Sequence, residues 1–543
     1  MELDVSGFSS RWNGDWAARA RASGAWPDRT VADFAEERAT RDPGRVLLVD
    51  GSRAFTAAEL YDQALRLAAY LESVGVKAGD VVSFQLPNWH EANVINLAAA
   101  MVGAVVNPIV PIMRATEVAF MLADCRSRLI FTPGTYRGFD YLTMNRSVAE
   151  GLPLAPRVVV VRPDDDAHDS FAAILARTPP LQNRCRVSAD AIKLVMFTSG
   201  TTGRPKAVLH THNTIHAENA KTMVAAGLTD RDVMFNPSPV THVTGALYGL
   251  NLPWFGGLTL VLQDLWDAGE AFDRLAQYQC TYMAGATPFL QDLIRVSRDR
   301  GRVLTALRRF TCGGAGVPAS LIRDARDAFP NAQVWRAFGA TECPTITVAP
   351  EDPQDLRHAS ETDGRIWRAE VKIVDPTTGA STPEGVEGEI LARADNMAVG
   401  YAREEDNVEA YDEEGFFRTG DLGRIVDGIY VVVTGRRKDL IIRAGENISA
   451  KEIEDVLCVD PRILDVAVVG MPSARTGEAI CAVVVLRAGI ELSLADVSGI
   501  IHQAGLARQK SPEHILYLEA LPRTAAGKVR KDVLRAQVAG AAL

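Results

Sequence analysis

The run at residues 198–206, Thr-Ser-Gly-Thr-Thr-Gly-Arg-Pro-Lys, has the residue types of a phosphate clamp. Two glycines allow close backbone approach and unusual φ angles, four hydroxyls and successive N–H groups can face an anion, and Lys206 adds a cation. The spacing differs from the common kinase or GTPase P-loop, because Gly200 and Gly203 are three apart and no lysine directly follows the second. Such a run could also be plain flexible linkage. Residues 192–197 argue otherwise: a short, mostly apolar stretch bounded by polar residues is the pattern of a buried strand, so the loop leaves a sheet. Further on, His210, His212 and His216 raise a zinc reading, with His212 and His216 on one helix face. Without HExxH or a nearby acidic ligand, the start of a helix is favoured. Residues 237–245 differ, since prolines and a glycine hold a turn from which His242 projects among apolar neighbours, either as a functional group or as a satisfied core histidine. The acidic run 164–166 reads as a surface loop rather than a metal site, because adjacent side chains diverge.

Taken with the segments downstream, this loop resembles the nucleotide loop of the adenylate-forming superfamily of acyl- and aryl-CoA synthetases, amino-acid adenylation domains and luciferases. The resemblance covers residues 30–535. It implies that Thr198, Ser199, Gly200, Thr201, Thr202, Gly203 and Lys206 hold the phosphates of ATP. Gly314 and Ala315 would lie against adenine; the family has Gly-Gly-Ala-Pro here, and Gly316 departs from it. Residues 336–342 are similar to the family's aromatic-Gly-x-Thr-Glu: Arg336, Gly339 and Ala340 would join the ATP site and Phe338 would stack on adenine. Thr341 would bond the α-phosphate, and Glu342 would offer Mg²⁺ a hard oxygen ligand. Asp421 would accept both ribose hydroxyls and Arg436 would contact ribose or phosphate. Lys438 takes the family's hinge position and Gly445 its coenzyme A channel. Lys528, in the Pro-x-Thr-x-x-Gly-Lys loop at 522–528, matches the catalytic lysine, although a basic tail can also be a solvated terminus. His242 would sit beside the reacting carboxylate, with Gly245, Gly285, Ala286 and Gly313 lining the acyl pocket.

The implied chemistry activates a carboxylate, a poor electrophile, by attack on the α-phosphorus of ATP to give an acyl-adenylate and pyrophosphate; a thiol, coenzyme A, then displaces AMP. Amino-acid adenylation domains carry an Asp near the His242 segment to meet an ammonium, and residues 239–245 have none. No carrier-protein domain is expected, so a free-standing acyl-CoA ligase is favoured. The N-terminal half, including residues 107–114 and 136–141, looks most like ligases for cyclohexanecarboxylate and related alicyclic acids, with bulky polycyclic or medium-chain fatty acids left open. Two other readings are a ligase specialised for the thioester half-reaction and an NTPase using hydrolysis for motion. A non-catalytic nucleotide-binding protein is a third, and the intact Lys528, Asp421 and Glu342 count against it.

The elements that must position these residues follow from length and periodicity. A chain of 543 residues exceeds one ordinary core, so several domains are expected. A helical period over 56–76 leads into a strand signal at 79–86, and strand signals at 128–131 and 157–161 continue the alternation of an α/β fold with helix-flanked, largely parallel sheets. Residues 1–50 contain Trp12, Trp16 and Trp26 without visible chemistry and are expected to wrap the first domain. Short strand signals from 363 to 436 predict a small β-rich subdomain closing an N-terminal domain at 1–436. Residues 437–543 predict a small, mobile α+β lid. A net charge of −10 without a basic run makes nucleic acid a poor partner. Seven scattered cysteines without CxxC suit a reducing compartment, and the N-terminus lacks a signal-peptide core, so a cytoplasmic location is expected. The longest apolar run, 97–106, is half a membrane span and reads as a buried helix entering a strand. Oligomeric state is not legible, a homodimer being one option.

Overall fold

A computed structural model describes residues 2–11, 14–164, 169–198, 204–314, 316–443, 446–473, 475–524 and 527–541. The N-terminal part is built on two mainly parallel sheets. In the first, the strand order is Arg157–Val161, Ser127–Pro133, Val81–Phe84, Val105–Pro108, Ile192–Thr198, Lys206–Thr211, and the last pair is antiparallel. In the second it is Gln333–Ala337, Arg309–Gly313, Tyr282–Gly285, Val233–Asn236, Thr259–Leu262, Val46–Asp50, Arg53–Thr56, again with an antiparallel end pair. The apolar run at 97–106 is a helix, His90–Met101, followed by the strand Val105–Pro108. That helix is buried on every side from Glu91 to Met101 because it touches both sheets, at Val105–Pro108 and Val46–Asp50. The helix Ala57–Ser73 begins where its sequence says it should: Thr56 and Glu59 form a reciprocal capping box, and Leu60, Ala64, Leu67, Ala68 and Leu71 turn one face inward.

Buried asparagines tie the central helix to the turn that carries His242. Asn88 Nδ2 donates to Ser238 O at 3.1 Å, and its Oδ1 accepts Val240 N–H at 2.8 Å. Asn93 and Asn96 donate to Gly249 O and Leu250 O, each at 3.2 Å, at the far end of the helix Val243–Leu250. Each bond satisfies a backbone carbonyl or N–H that would otherwise be stranded in an apolar layer.

A third, antiparallel sheet follows, with order Thr347–Val348, Arg365–Ile366, Tyr430–Arg436, Phe417–Val426, Gly388–Ala394, Ala369–Val374. Its strand Tyr430–Arg436 ends at a 3-10 turn, Arg437–Asp439, and a fourth sheet starts at Leu440. That sheet, built on the long hairpin Ile463–Ser473 and Gly477–Leu486, packs against Ala450–Leu457 and Leu494–Gln503 around a core including Ile453, Val468, Val484 and Val497. The α/β class and the α+β C-terminal part agree with the sequence reading. Trp16 and Trp26 are buried edge-to-face at 5.0 Å, so this N-terminal segment packs as core. Among the described residues no helix is long and apolar enough to cross a membrane.

Candidate functional site

The strands Ile192–Thr198 and Lys206–Thr211 pair antiparallel on either side of the expected clamp, with Thr198 and Lys206 as register partners. Ser199, Gly200, Thr201, Thr202 and Gly203 lie outside the described residues, as do Ala315 and Gly445. Lys206 Nζ is 3.6 Å from Asp406 Oδ1 and 5.1 Å from the centre of the Tyr401 ring. The three histidines behind the loop do not converge. His210 Nε2 bonds Thr341 O at 2.8 Å, His212 Nδ1 accepts Val31 N–H at 3.3 Å, and His216 stacks on Phe34 at 5.1 Å.

Glu342 is buried, and its Oε1 accepts the Tyr401 hydroxyl at 2.6 Å. Among the described residues no cationic side chain forms an ion pair with it, and burial raises its pKa despite that bond and the more distant Lys528 and Arg436 charges. A buried carboxylate with no ion-pair partner among the described residues has the donor chemistry for a hard divalent cation. The turn leading to it is tight: a Cβ on Gly339 would lie 2.6 Å from Thr345 N. Ala340 N–H donates to Cys343 O at 3.0 Å, Thr341 is partly buried, and Phe338 packs against the cluster of Ile373, Ile390 and Val431.

Arg336 is bonded within the protein. Its guanidinium donates to Asp363 Oδ1 from Nε at 3.0 Å and from Nη2 at 2.7 Å, and to Ser360 O at 3.1 Å. Asp363 Oδ2 also accepts Val433 N–H at 2.8 Å. The side chain is a buried pin between the second and third sheets, with three of its five N–H donors bonded within the protein.

Asp421 and Arg436 face each other across adjacent antiparallel strands, and Arg436 Nε donates to Asp421 Oδ1 at 2.7 Å. Asp421 is buried while the Arg436 side chain is 45% exposed, so the pair presents one carboxylate oxygen and a guanidinium at the rim of the cleft. Burial lifts the Asp421 pKa against the pull of Arg436. Lys438 sits in the 3-10 turn between the two domains, and its carbonyl accepts Arg535 Nη2 at 3.3 Å from the C-terminal helix Lys531–Ala541. The same nitrogen bonds Asp439 Oδ1 at 2.6 Å.

The C-terminal domain brings Lys528 into the N-terminal cleft. Its loop is closed by Lys528 N–H donating to Thr524 Oγ1 at 3.1 Å and Thr524 N–H donating to Lys528 O at 2.7 Å. Gly527, at φ +81°, lies against Pro288 and Ala286, and a Cβ on Gly314 would meet Lys528 Cε at 3.8 Å. Burial and the Arg436 cation push the Lys528 pKa down, opposed by the carboxylates of Asp421 and Glu342. His242 lies close enough to feel Lys528: burial first, then that cation, hold its pKa down to about 3, so the ring is neutral. His242 N–H donates to Pro239 O at 2.8 Å, fixing the turn. A Cβ on Gly245 would lie 2.0 Å from Pro239 O, so the glycine lets the helix settle on the turn. A Cβ on Gly285 would lie 2.7 Å from the Phe289 ring and one on Gly313 2.5 Å from Ala337 O, so both positions are closely packed.

Tyr401 and Asp406 were not found in the sequence. Their segment carries no chemical pattern and reaches the site only by pairing along Lys206–Thr211, where Leu209 N–H donates to Gly400 O at 2.9 Å and Ala402 N–H to Ala207 O at 2.8 Å.

Residues 35–402 match the profile of the AMP-binding enzymes, and residues 452–528 that of the AMP-binding enzyme C-terminal domain. The chain is 36% identical over 528 residues to a medium-chain fatty-acid–CoA ligase of Escherichia coli K12, covering 96% of this chain and 92% of that protein. It is 31% identical over 543 residues to a Streptomyces salicylyl-CoA synthase / salicylate adenylyltransferase, covering 98% of each. The ATP-bound structure of MatB from Rhodopseudomonas palustris superposes with a TM-score of 0.84 at 27% identity, covering 94% of this chain and 99% of that one.

Proposed function

The chain belongs to the AMP-binding enzyme family and is an AMP-forming acid–thiol ligase; from that premise we propose that it joins an alicyclic or other bulky hydrophobic carboxylic acid to coenzyme A. The observation that carries the reading is the convergence of Lys528, from one domain, with Glu342, Asp421, Arg436 and His242 from the other. An acid whose carboxylate reaches past neutral His242 attacks the α-phosphorus of ATP, and pyrophosphate leaves. Lys528 and the Thr341 hydroxyl offset the charge that builds on the phosphoryl oxygens, while the 198–206 run and Lys206 hold the leaving phosphates. Glu342 would hold the Mg²⁺ that accompanies ATP, which supplies further charge neutralisation when bound. Asp421 orients the ribose. The lid then turns about Lys438 so that the Gly445 loop admits the thiol, which displaces AMP. An apolar acid is supported by the absence of any acidic residue at 239–245 to meet an ammonium group, and by the small or apolar residues Gly285, Ala286 and Phe289.

The test is a panel of octanoate, cyclohexanecarboxylate, a decalin carboxylate, benzoate and salicylate with ATP, Mg²⁺ and coenzyme A, scoring AMP and thioester by mass. Cyclohexanecarboxylate or the decalin acid should turn over fastest. Preference for salicylate would overturn the substrate class, and phosphate release without any acid would overturn the ligase reading.

A further inference from the structure

Beneath the Thr341–Glu342 turn lies a buried polar network that the chemistry above does not use. Glu218, on the helix His212–Ala225, is fully buried. Its Oε1 accepts Thr345 Oγ1–H at 2.6 Å, Tyr248 Oη–H at 2.8 Å and Thr222 Oγ1–H at 3.2 Å. Its Oε2 accepts Asn396 Nδ2 at 2.5 Å, and the same amide donates to Pro344 O at 2.6 Å. Burial and the Glu218 charge push the Tyr248 phenol well above its ordinary range, which keeps it a donor. Four donors from four parts of the chain thus meet one carboxylate.

Two of those ties end on Pro344 and Thr345, directly after Glu342 and Cys343. Thr345 has φ +35°, a left-handed conformation that a β-branched residue adopts only when its surroundings impose it. The Thr345–Glu218 bond is that imposition. The other end of the turn is held by Gly339, packed on Thr345 N, and by Ile346 N–H donating to Phe338 O at 2.9 Å. An apolar residue at 218 could fill the same space without the cost of burying a carboxylate, so what the carboxylate adds is a defined turn conformation.

We propose that Glu218 is a positioning residue for the metal–nucleotide end of the site: by holding Pro344 and Thr345 it sets the turn that aims the Glu342 carboxylate at Tyr401 and the cleft. This rests on the reading of Glu342 as the ligand of Mg²⁺·ATP. The readout is the ratio of ATP affinities with Mg²⁺ and with EDTA, measured calorimetrically without any acid. Glu218→Gln offers an amide N–H where the network needs an acceptor, and Thr345→Val keeps shape while losing the donor. Each should lower the ratio about tenfold, the scale of an outer-shell partner of a metal ligand, with ATP affinity in EDTA unchanged. Thr345→Ser should keep the wild-type ratio, and Glu342→Ala should abolish it. If Glu342→Ala keeps the wild-type ratio, or the wild type shows no Mg²⁺ dependence, the reading of Glu342 fails. If Glu342→Ala loses the ratio while Glu218→Gln and Thr345→Val keep it, the positioning role is wrong and Glu342 stands. Equal weakening of ATP with and without Mg²⁺ in Thr345→Val would make the network a general structural tie and overturn the proposal.

Discussion

Lys528 is the residue on which the two half-reactions should divide. It stands among Asp421, Glu342 and Arg436 in the pose described, where a cation can meet charge building on the α-phosphate. Lys528→Ala should therefore slow acyl-adenylate formation about a hundredfold or more, the scale of losing one preorganised oxyanion donor, while thioester formation from supplied adenylate survives. Pyrophosphate exchange and thioester assays on the same variant check this, and equal losses in both would remove the lysine from its role. Asp421→Ala should weaken ATP by about 1.5–3 kcal/mol, the range of hydrogen bonds to charged groups, and the variant should bind ATP and 2′-deoxy-ATP alike. A ribonucleotide preference that outlasts the substitution would exclude Asp421 from the ribose. At this scale the motifs named residues that the fold brings into one region, a lysine on a Gly-containing loop and an acid after an aromatic-Gly-x-Thr. The sequence did not show that the Arg336 guanidinium is bonded to Asp363. It also passed over Glu218 and Tyr401, whose meaning lies wholly in partners far along the chain.

At the scale of elements, the 3-10 turn Arg437–Asp439 is tied to the C-terminal helix by Arg535, which bonds the Lys438 carbonyl and the Asp439 carboxylate. The proposed hinge would thereby be held in the pose that puts Lys528 in the cleft. A partly exposed ion pair contributes only about 0–1 kcal/mol, so Arg535→Ala should raise the ratio of thioester formation to adenylation by no more than about fivefold. An unchanged or lowered ratio would mean that the clamp does not favour the adenylating pose. Strands and capped helices were legible because their signals are local: the capping box at Thr56 and the apolar run before residue 198 need no knowledge of the rest. The central helix was legible as buried but not as lying between two sheets, since an apolar stretch does not name its neighbours.

At the scale of the whole molecule, packing lowers the pKa of four histidines among the described residues: His210 falls below its ordinary value, and three fall far below it, His212 and His242 to about 3 and His216 to about 4. Unfolded histidine takes a proton near pH 6.5, so as pH falls below that value the unfolded chain binds protons that the fold excludes, and stability is lost. Each group contributes about 1.4 kcal/mol per pH unit between about pH 6 and 4, hence about 4 kcal/mol per unit for the three. His216→Phe, which keeps the stack on Phe34 and Phe255, should flatten the fall of unfolding free energy by about 1.4 kcal/mol per pH unit between about pH 6 and 4. Identical slopes for the variant and the wild type would show that His216 is not excluded from protonation. Among the described residues, Ser449 Oγ donates to Thr434 O at 2.7 Å between the two domains, a bond that the proposed lid movement would have to break. The central claim is that one cleft, shared by both domains, uses a carboxylate to attack the α-phosphorus of ATP. Single-turnover reaction with the best acid of the panel, its carboxylate labelled with heavy oxygen, tests this directly. The account predicts one labelled oxygen in AMP and none in pyrophosphate; label in inorganic phosphate or pyrophosphate, or AMP without label, would contradict it.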